Sequence, residues 1–238
     1  MQLARSCVLA AALFAALPAA GLVIRADRDD AEYLELASRY TSSVPLSAPQ
    51  GEAVLIAPRW LLTAAHRARA LQDARPRPRV SIGGNGHAIA GVYLHPDWKG
   101  GAAADIALVH LDPDVGGIDP TPPYRGNDES GKTVAIAGHG GGKKRASINT
   151  VDRVEPRSLA LRIKPLDDAS DLQGQATAEE TGGPAYLQVS GELYVVGILH
   201  GIAGDWETHA RVSAFAGWID ATLLEVAAKE AAALLGAQ

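Results

Sequence analysis

Between residues 53 and 199 the chain is a succession of short apolar runs, cut apart by Gly, Pro, Asp and Asn. The runs fall at 53–57, 59–62, 80–82, 89–94, 106–111, 133–137, 159–163, 185–189 and 193–199. Their length and their Val, Ile, Leu and Tyr content suit strands better than helices. No helical segment of crossover length separates them, so a sandwich or barrel is expected rather than a parallel sheet of βαβ units. The 25 glycines and 14 prolines supply the turns such a fold needs. A chain of 238 residues fits one all-β domain of roughly 200–250 residues.

Two segments depart from this pattern. Residues 31–40 read as a helical turn or a linker. Residues 216–235 carry Trp218, Ile219, Leu223, Leu224, Val226, Ala227, Leu234 and Leu235 at spacings of three and four. That spacing predicts an amphipathic helix packed against the body.

The first residues read as an export signal. Arg5 is followed by an apolar, alanine-rich run over 8–20, and Ala19, Ala20 and Gly21 offer a cleavage site. The run falls short of the ~18 residues a membrane span needs. The expectation is a signal peptide over 1–21, a mature domain over 22–238, and an exported protein with no stable membrane insertion after cleavage. Cys7, the single cysteine, lies inside the signal, so the mature domain depends on its core and not on disulfides. A net charge of −5 gives no electrostatic reason to expect nucleic acid. The seven histidines form no compact ligand pattern, and neither a metal nor a cofactor is implied. Residues 138–144 (GHGGGKK) lack the spacing and the hydroxyl residue of a phosphate loop. Arg67, Arg69, Arg75, Arg77 and Arg79 offer an anion or partner patch, but loop charges of this kind are more often solvated, and that is the expectation.

Three segments carry chemistry, in a fixed order. Thr63-Ala-Ala-His66 ends an apolar strand on a histidine, Asp105 opens the apolar run 106–111, and Glu179-Glu180-Thr181-Gly182-Gly183-Pro184 presents a hydroxyl before a flexible turn. A hydroxyl nucleophile needs a base that titrates near neutrality, and imidazole supplies one. The base needs a carboxylate to fix its tautomer, and the developing oxyanion needs backbone N–H donors.

In order and local sequence these segments resemble the chymotrypsin/trypsin-like serine peptidase family. His95-Pro96, Gly138-His139-Gly140, residues 193–201 and residues 211–219 resemble further markers of that family, and the likeness runs from about 50 to 225. The histidine–aspartate–hydroxyl order excludes the subtilisin and α/β-hydrolase arrangements. The resemblance implies two six-stranded antiparallel β-barrels with a C-terminal α-helix. It assigns His66, Asp105 and Thr181 as catalytic, the N–H groups of Glu179 and Thr181 as oxyanion hole, and Glu180 as the activation-pocket carboxylate. Gln175, Leu199, His200 and Gly201 become substrate-binding positions, in a monomer acting on a peptide or protein.

The motif is altered at three adjacent positions. Thr181 stands for the family's serine, Glu180 for its aspartate and Glu179 for its first glycine. The threonine methyl stiffens χ1 and crowds the site. A side chain at 179 resists the backbone freedom that glycine has. A neutral Gln175, six residues before Thr181, gives no basis for a Lys or Arg preference. Two readings stay open: a weak exported endopeptidase, and a pseudo-protease that binds a peptide or protein in the same cleft without cutting it.

Overall fold

The computed structural model describes residues 21–47 and 50–236. The proposed signal peptide and Cys7 lie outside the described residues, apart from Gly21.

Strand β1 (Val23–Ile24) and helix α1 (Asp30–Ala37) come first. Residues 31–40 are thus mostly helix, started by a capping box in which Asp29 and Glu32 satisfy each other's backbone N–H groups. The first barrel follows, from β2 (Ser43–Ser47), β3 (Gln50–Ala57), β4 (Trp60–Thr63), helix α2 (Ala65–Asp73), β5 (Val80–Ile82), β6 (Asn85–Leu94) and β7 (Ala107–Asp112). The second is built from β8 (Thr133–Gly138), β9 (Arg145–Val154), β10 (Ser158–Arg162), β12 (Pro184–Val189), β13 (Glu192–Ala203) and β14 (Trp206–Arg211); the short β11 (Gly174–Gln175) lies in the connection between β10 and β12, and helix α3 (Val212–Gly236) is the last described element.

The first six-stranded antiparallel sheet runs β2-β3-β4-β7-β6-β5 and is nearly closed. The second, β10-β14-β13-β12-β8-β9, is a closed barrel. β1 pairs outside both, antiparallel to β11.

The strands read as nearly continuous apolar runs because each face is buried in a different core. On β3, Ala53 and Leu55 fill the first barrel, while Val54 and Ile56 face the layer between the barrels. β7 divides the same way, with Ala107, Val109 and Leu111 inside and Leu108 in the shared layer. In the second barrel Val134, Ile136, Leu187 and Val196 point inward, and Ala135, Ala137, Tyr186 and Val195 point to the shared layer. Successive residues of a strand alternate between faces, so one strand serves two cores. The Tyr186 hydroxyl keeps this layer satisfied by bonding Ser42 Oγ at 2.9 Å, which bonds Thr121 Oγ1 at 2.7 Å.

Helix α3 starts at Val212, earlier than the apolar spacing indicates, because the buried Val212 and Phe215 continue the chain out of β14. Phe215, Ile219 and Val226 pack on the shared layer. Leu224, Leu234 and Leu235 do not, each being more than two-thirds exposed. No described helix is long and apolar enough to cross a membrane.

Phe215 joins the helix to both barrels and meets the His95 ring edge-on at 5.0 Å. Phe215→Ala is expected to cost about 3–5 kcal/mol of stability, read as a lower urea midpoint at unchanged m. A midpoint equal to wild type would show that α3 is not part of the cooperative core.

Candidate active site

His66 lies where β4 runs into α2. Helix α2 has no side-chain cap at Ala64, and Asp105 takes that part from far along the chain. Asp105 Oδ1 accepts the His66 backbone N–H at 2.9 Å, and Oδ2 lies 2.7 Å from Nδ1. A carboxylate only accepts, so Nδ1 carries the proton and Nε2 is left as an acceptor. Asp105 is buried, reached through a left-handed Ala104 at φ 54°, a conformation unusual for a side-chain residue.

Thr181 follows a 3₁₀ turn over Ala178–Glu180 and precedes two glycines. Its loop is fastened to both barrels. Glu52 N–H of β3 donates to Thr181 O at 3.0 Å, Gly182 N–H donates to Leu199 O of β13 at 2.7 Å, and Leu199 N–H returns to Gly183 O at 2.8 Å. Gly182 has φ +91°, and a Cβ there would lie 2.3 Å from Glu52 O, so glycine is required twice over. The fold thereby brings Thr181 Oγ1 to 3.4 Å from His66 Nε2. Three residues widely separated in sequence meet as one chain of contacts at the junction of the barrels.

The hydroxyl is also held by other groups. Arg67, next to the histidine on α2, donates from Nε to Thr181 Oγ1 at 2.7 Å and again from Nη2, which also reaches Ala178 O at 2.7 Å. The hydroxyl itself donates to Ala178 O at 3.0 Å. Arg67 is therefore not the solvated loop charge that its neighbours suggested. It lies on a helix, half-buried, with its guanidinium on the candidate nucleophile, and burial pushes its pKa below the usual arginine value. Its position directly after the histidine was the available signal, because His66 lines the cleft.

Both candidate oxyanion donors are engaged inside the turn. Glu179 N–H donates to Thr177 Oγ1 at 3.3 Å, and Thr181 N–H to Ala178 O at 3.4 Å. The Ala178 carbonyl, not an N–H group, thus faces the hydroxyl. The Glu179 carboxylate turns away and accepts from Gly141 N–H at 2.9 Å.

Glu180 is buried beneath the turn. Its Oε1 accepts the Leu22 backbone N–H at 3.0 Å, and Oε2 accepts both Thr177 N–H and Oγ1 at 2.6 Å. A Cβ on Gly138 or Gly140 would strike this side chain, so two glycines of the segment once weighed as a phosphate loop make room for a carboxylate. The adjoining carboxylate of Glu52 was not foreseen. It is buried and accepts from His139 N–H at 2.7 Å with Nδ1 at 3.1 Å; burial raises its pKa against the opposing pull of His139.

The expected substrate positions divide. His200 and Gly201 line a cleft of about 430 Å³ with His66, Asp105, Trp98 and Ile202. Burial pushes the His200 pKa down, with His209 adding to the effect. Leu199 is buried with its main-chain groups already bonded, so its part is to hold the loop. Gln175 pairs with Val23 and its amide bonds Gly204 O at 2.7 Å. Next to it Glu207 Oε1, fully buried, accepts Ala176 N–H at 2.6 Å and Oε2 meets His209 Nε2 at 3.3 Å, a pair the sequence did not signal. Among the described residues no group of three or more His, Cys, Asp or Glu is arranged to hold a metal ion.

A double β-barrel with such a cleft at its seam is the architecture of trypsin-like peptidases. The trypsin-like peptidase domain model matches residues 51–198, and the chain belongs to that family. No curated protein matches the chain.

Glu180→Gln would set an amide NH₂ against N–H or O–H donors on one side of the buried carboxyl. The expected loss is about 1–3 kcal/mol, measured as a fall in the denaturation midpoint. An unchanged midpoint would show that the Leu22 and Thr177 contacts do not hold the turn.

Proposed function

We propose that the chain is an exported endopeptidase working by the serine-type mechanism with Thr181 as nucleophile, described here in a latent conformation. The observation that carries this reading is the alignment of Asp105, His66 and Thr181, with Nδ1 on the carboxylate at 2.7 Å and Nε2 3.4 Å from Oγ1. In an active form His66 takes the Thr181 proton as Oγ1 attacks the scissile carbonyl carbon, and Asp105 stabilises the imidazolium. His66 then returns the proton to the leaving amine. Water hydrolyses the acyl-enzyme by the same route in reverse.

Two changes separate the described form from that one. Arg67 must leave Oγ1, and the Ala178–Glu179 peptide must turn so that the Glu179 N–H replaces the Ala178 carbonyl. Without those donors the transition state lacks about 3–4 kcal/mol of stabilisation. The Leu22–Glu180 contact supports a link to maturation. Cleavage after Gly21 would turn the Leu22 amide into an α-ammonium 3.0 Å from a buried carboxylate, a far stronger partner for Glu180. N-terminal sequencing of the exported protein is then expected to begin at Leu22.

A second reading, a pseudo-protease that binds without cutting, is favoured by one observation. Arg67 caps the hydroxyl from Nε and Nη2 while the hydroxyl proton goes to Ala178 O, so His66 has no proton to take.

Fluorophosphonate labelling with a casein digest separates the two. The peptidase reading expects labelling at Thr181 that His66→Ala abolishes. It also expects Arg67→Ala to raise labelling about tenfold or more, since one to two charge-assisted hydrogen bonds are removed. Absence of labelling and of cleavage in wild type, Arg67→Ala and Thr181→Ser alike would leave only the non-cutting reading.

A further inference from the structure

Arg67 is unusual in its charge balance. The other well-covered arginines have carboxylate partners: Arg145 holds Asp30, Arg211 holds Glu129 in a two-pronged contact, and Arg59 reaches Glu230. Arg67 makes no ion pair among the described residues; its acceptors are one hydroxyl and one carbonyl. Nη1 donates to nothing among the described residues and is not among the buried atoms without a partner, which leaves it free to donate to an incoming group. Burial weighs on this guanidinium more than the distant pull of the Asp105 carboxylate offsets.

The surroundings are shaped to keep it there. A Cβ on Gly51 would lie 2.9 Å from Arg67 Cδ, and one on Gly182 would lie 3.4 Å from Cγ. Nearby acids are already engaged: Asp105 with His66, Glu179 with the Gly141 N–H. Arg67, bonded to the hydroxyl that stands 3.4 Å from His66 of the cleft, sets a permanent positive charge at its edge.

We propose that the cleft is a receptor for a peptide carboxylate, anchored by the Arg67 guanidinium beside His66, with the preceding residues of the peptide lying along Gly201 toward Trp98, His200 and Ile202. An incoming carboxylate would take the Nη1 donor and compete with Thr181 Oγ1 for the Nε–Nη2 edge, whose planar fork matches two carboxylate oxygens. The convergence of Nε and Nη2 on Thr181 Oγ1 sets the anchor at the hydroxyl itself, where a peptide that ended at its carboxylate would stop. The proposal rests on the peptide-binding cleft of the previous section but not on cleavage, because a cut product and an uncut C-terminus present the same group.

The test is fluorescence anisotropy of the full domain with a fluorescein-labelled tetrapeptide library bearing free C-termini, against its C-terminally amidated twin. The free acids are expected to bind at least about tenfold more tightly than the amides, as a charge-assisted pair predicts. Arg67→Gln should erase that preference, and Arg67→Lys should keep part of it. A third library, amidated but ending in Asp, tells the two sources apart: tight binding of it assigns a side-chain carboxylate, weak binding a terminal one. Equal affinity of acids and amides for the wild type, or no binding of any library, overturns the proposal, as does an acid preference that survives Arg67→Gln. The acid-to-amide ratio in wild type decides the matter even should Arg67→Gln fail to fold. Failure of fluorophosphonate labelling bears on catalysis and leaves this ratio untouched.

Discussion

The backbone clamp on residues 181–183 is the constraint from which the site follows. One end is tied to β3 through Glu52 N–H and Thr181 O, the other to β13 through the reciprocal Gly182–Leu199–Gly183 bonds. These contacts work only with a residue at φ +91° and no Cβ, which is why two glycines follow the hydroxyl. Because the clamp joins the barrels, the position of Thr181 relative to His66 is fixed by barrel packing and not by the flexibility of its own loop. The buried layer containing Val54, Leu62, Leu108, Tyr186 and Phe215 is thus also what sets the distance between hydroxyl and imidazole.

On this rigid frame the state of the site is decided by one turn and one side chain. The Ala178–Glu180 turn satisfies its own N–H groups, and its carbonyl collects the Thr181 hydroxyl and the Arg67 guanidinium. These interactions stabilise each other, since a carbonyl facing the cleft is a good neighbour for a guanidinium and a poor one for an oxyanion. Peptide orientation and Arg67 placement are therefore coupled.

Much of the architecture was legible in the chain. Short apolar runs punctuated by turn residues gave an all-β fold, and the order of His66, Asp105 and Thr181 singled out one arrangement among those that use such groups. The packing of α3 was less legible: Leu224 faces outward although its neighbours Leu223 and Val226 pack on the shared layer, and Leu234 and Leu235 in the last turns are exposed as well. Helix α2 was missed, since Ala65–Asp73 is short and its apolar face is mostly alanine. Arg67 was misread for the same reason. Without the helix, only its place next to His66 told its side chain apart from those of Arg69 or Arg75.

Local sequence determined which chemistry was present. A histidine, a carboxylate, a hydroxyl, two flexible glycines and a side chain at 179 are facts of the chain, as is the alternation that lets each strand serve two cores. Tertiary structure alone decided how those groups are used: that Asp105 caps α2 while orienting His66, that Glu180 lies under Leu22, and that Arg67 reaches the hydroxyl first. The reason is range. Turn and strand preferences act over a few neighbouring residues, whereas each of these contacts joins positions 39 to 158 residues apart, fixed only when both barrels have closed.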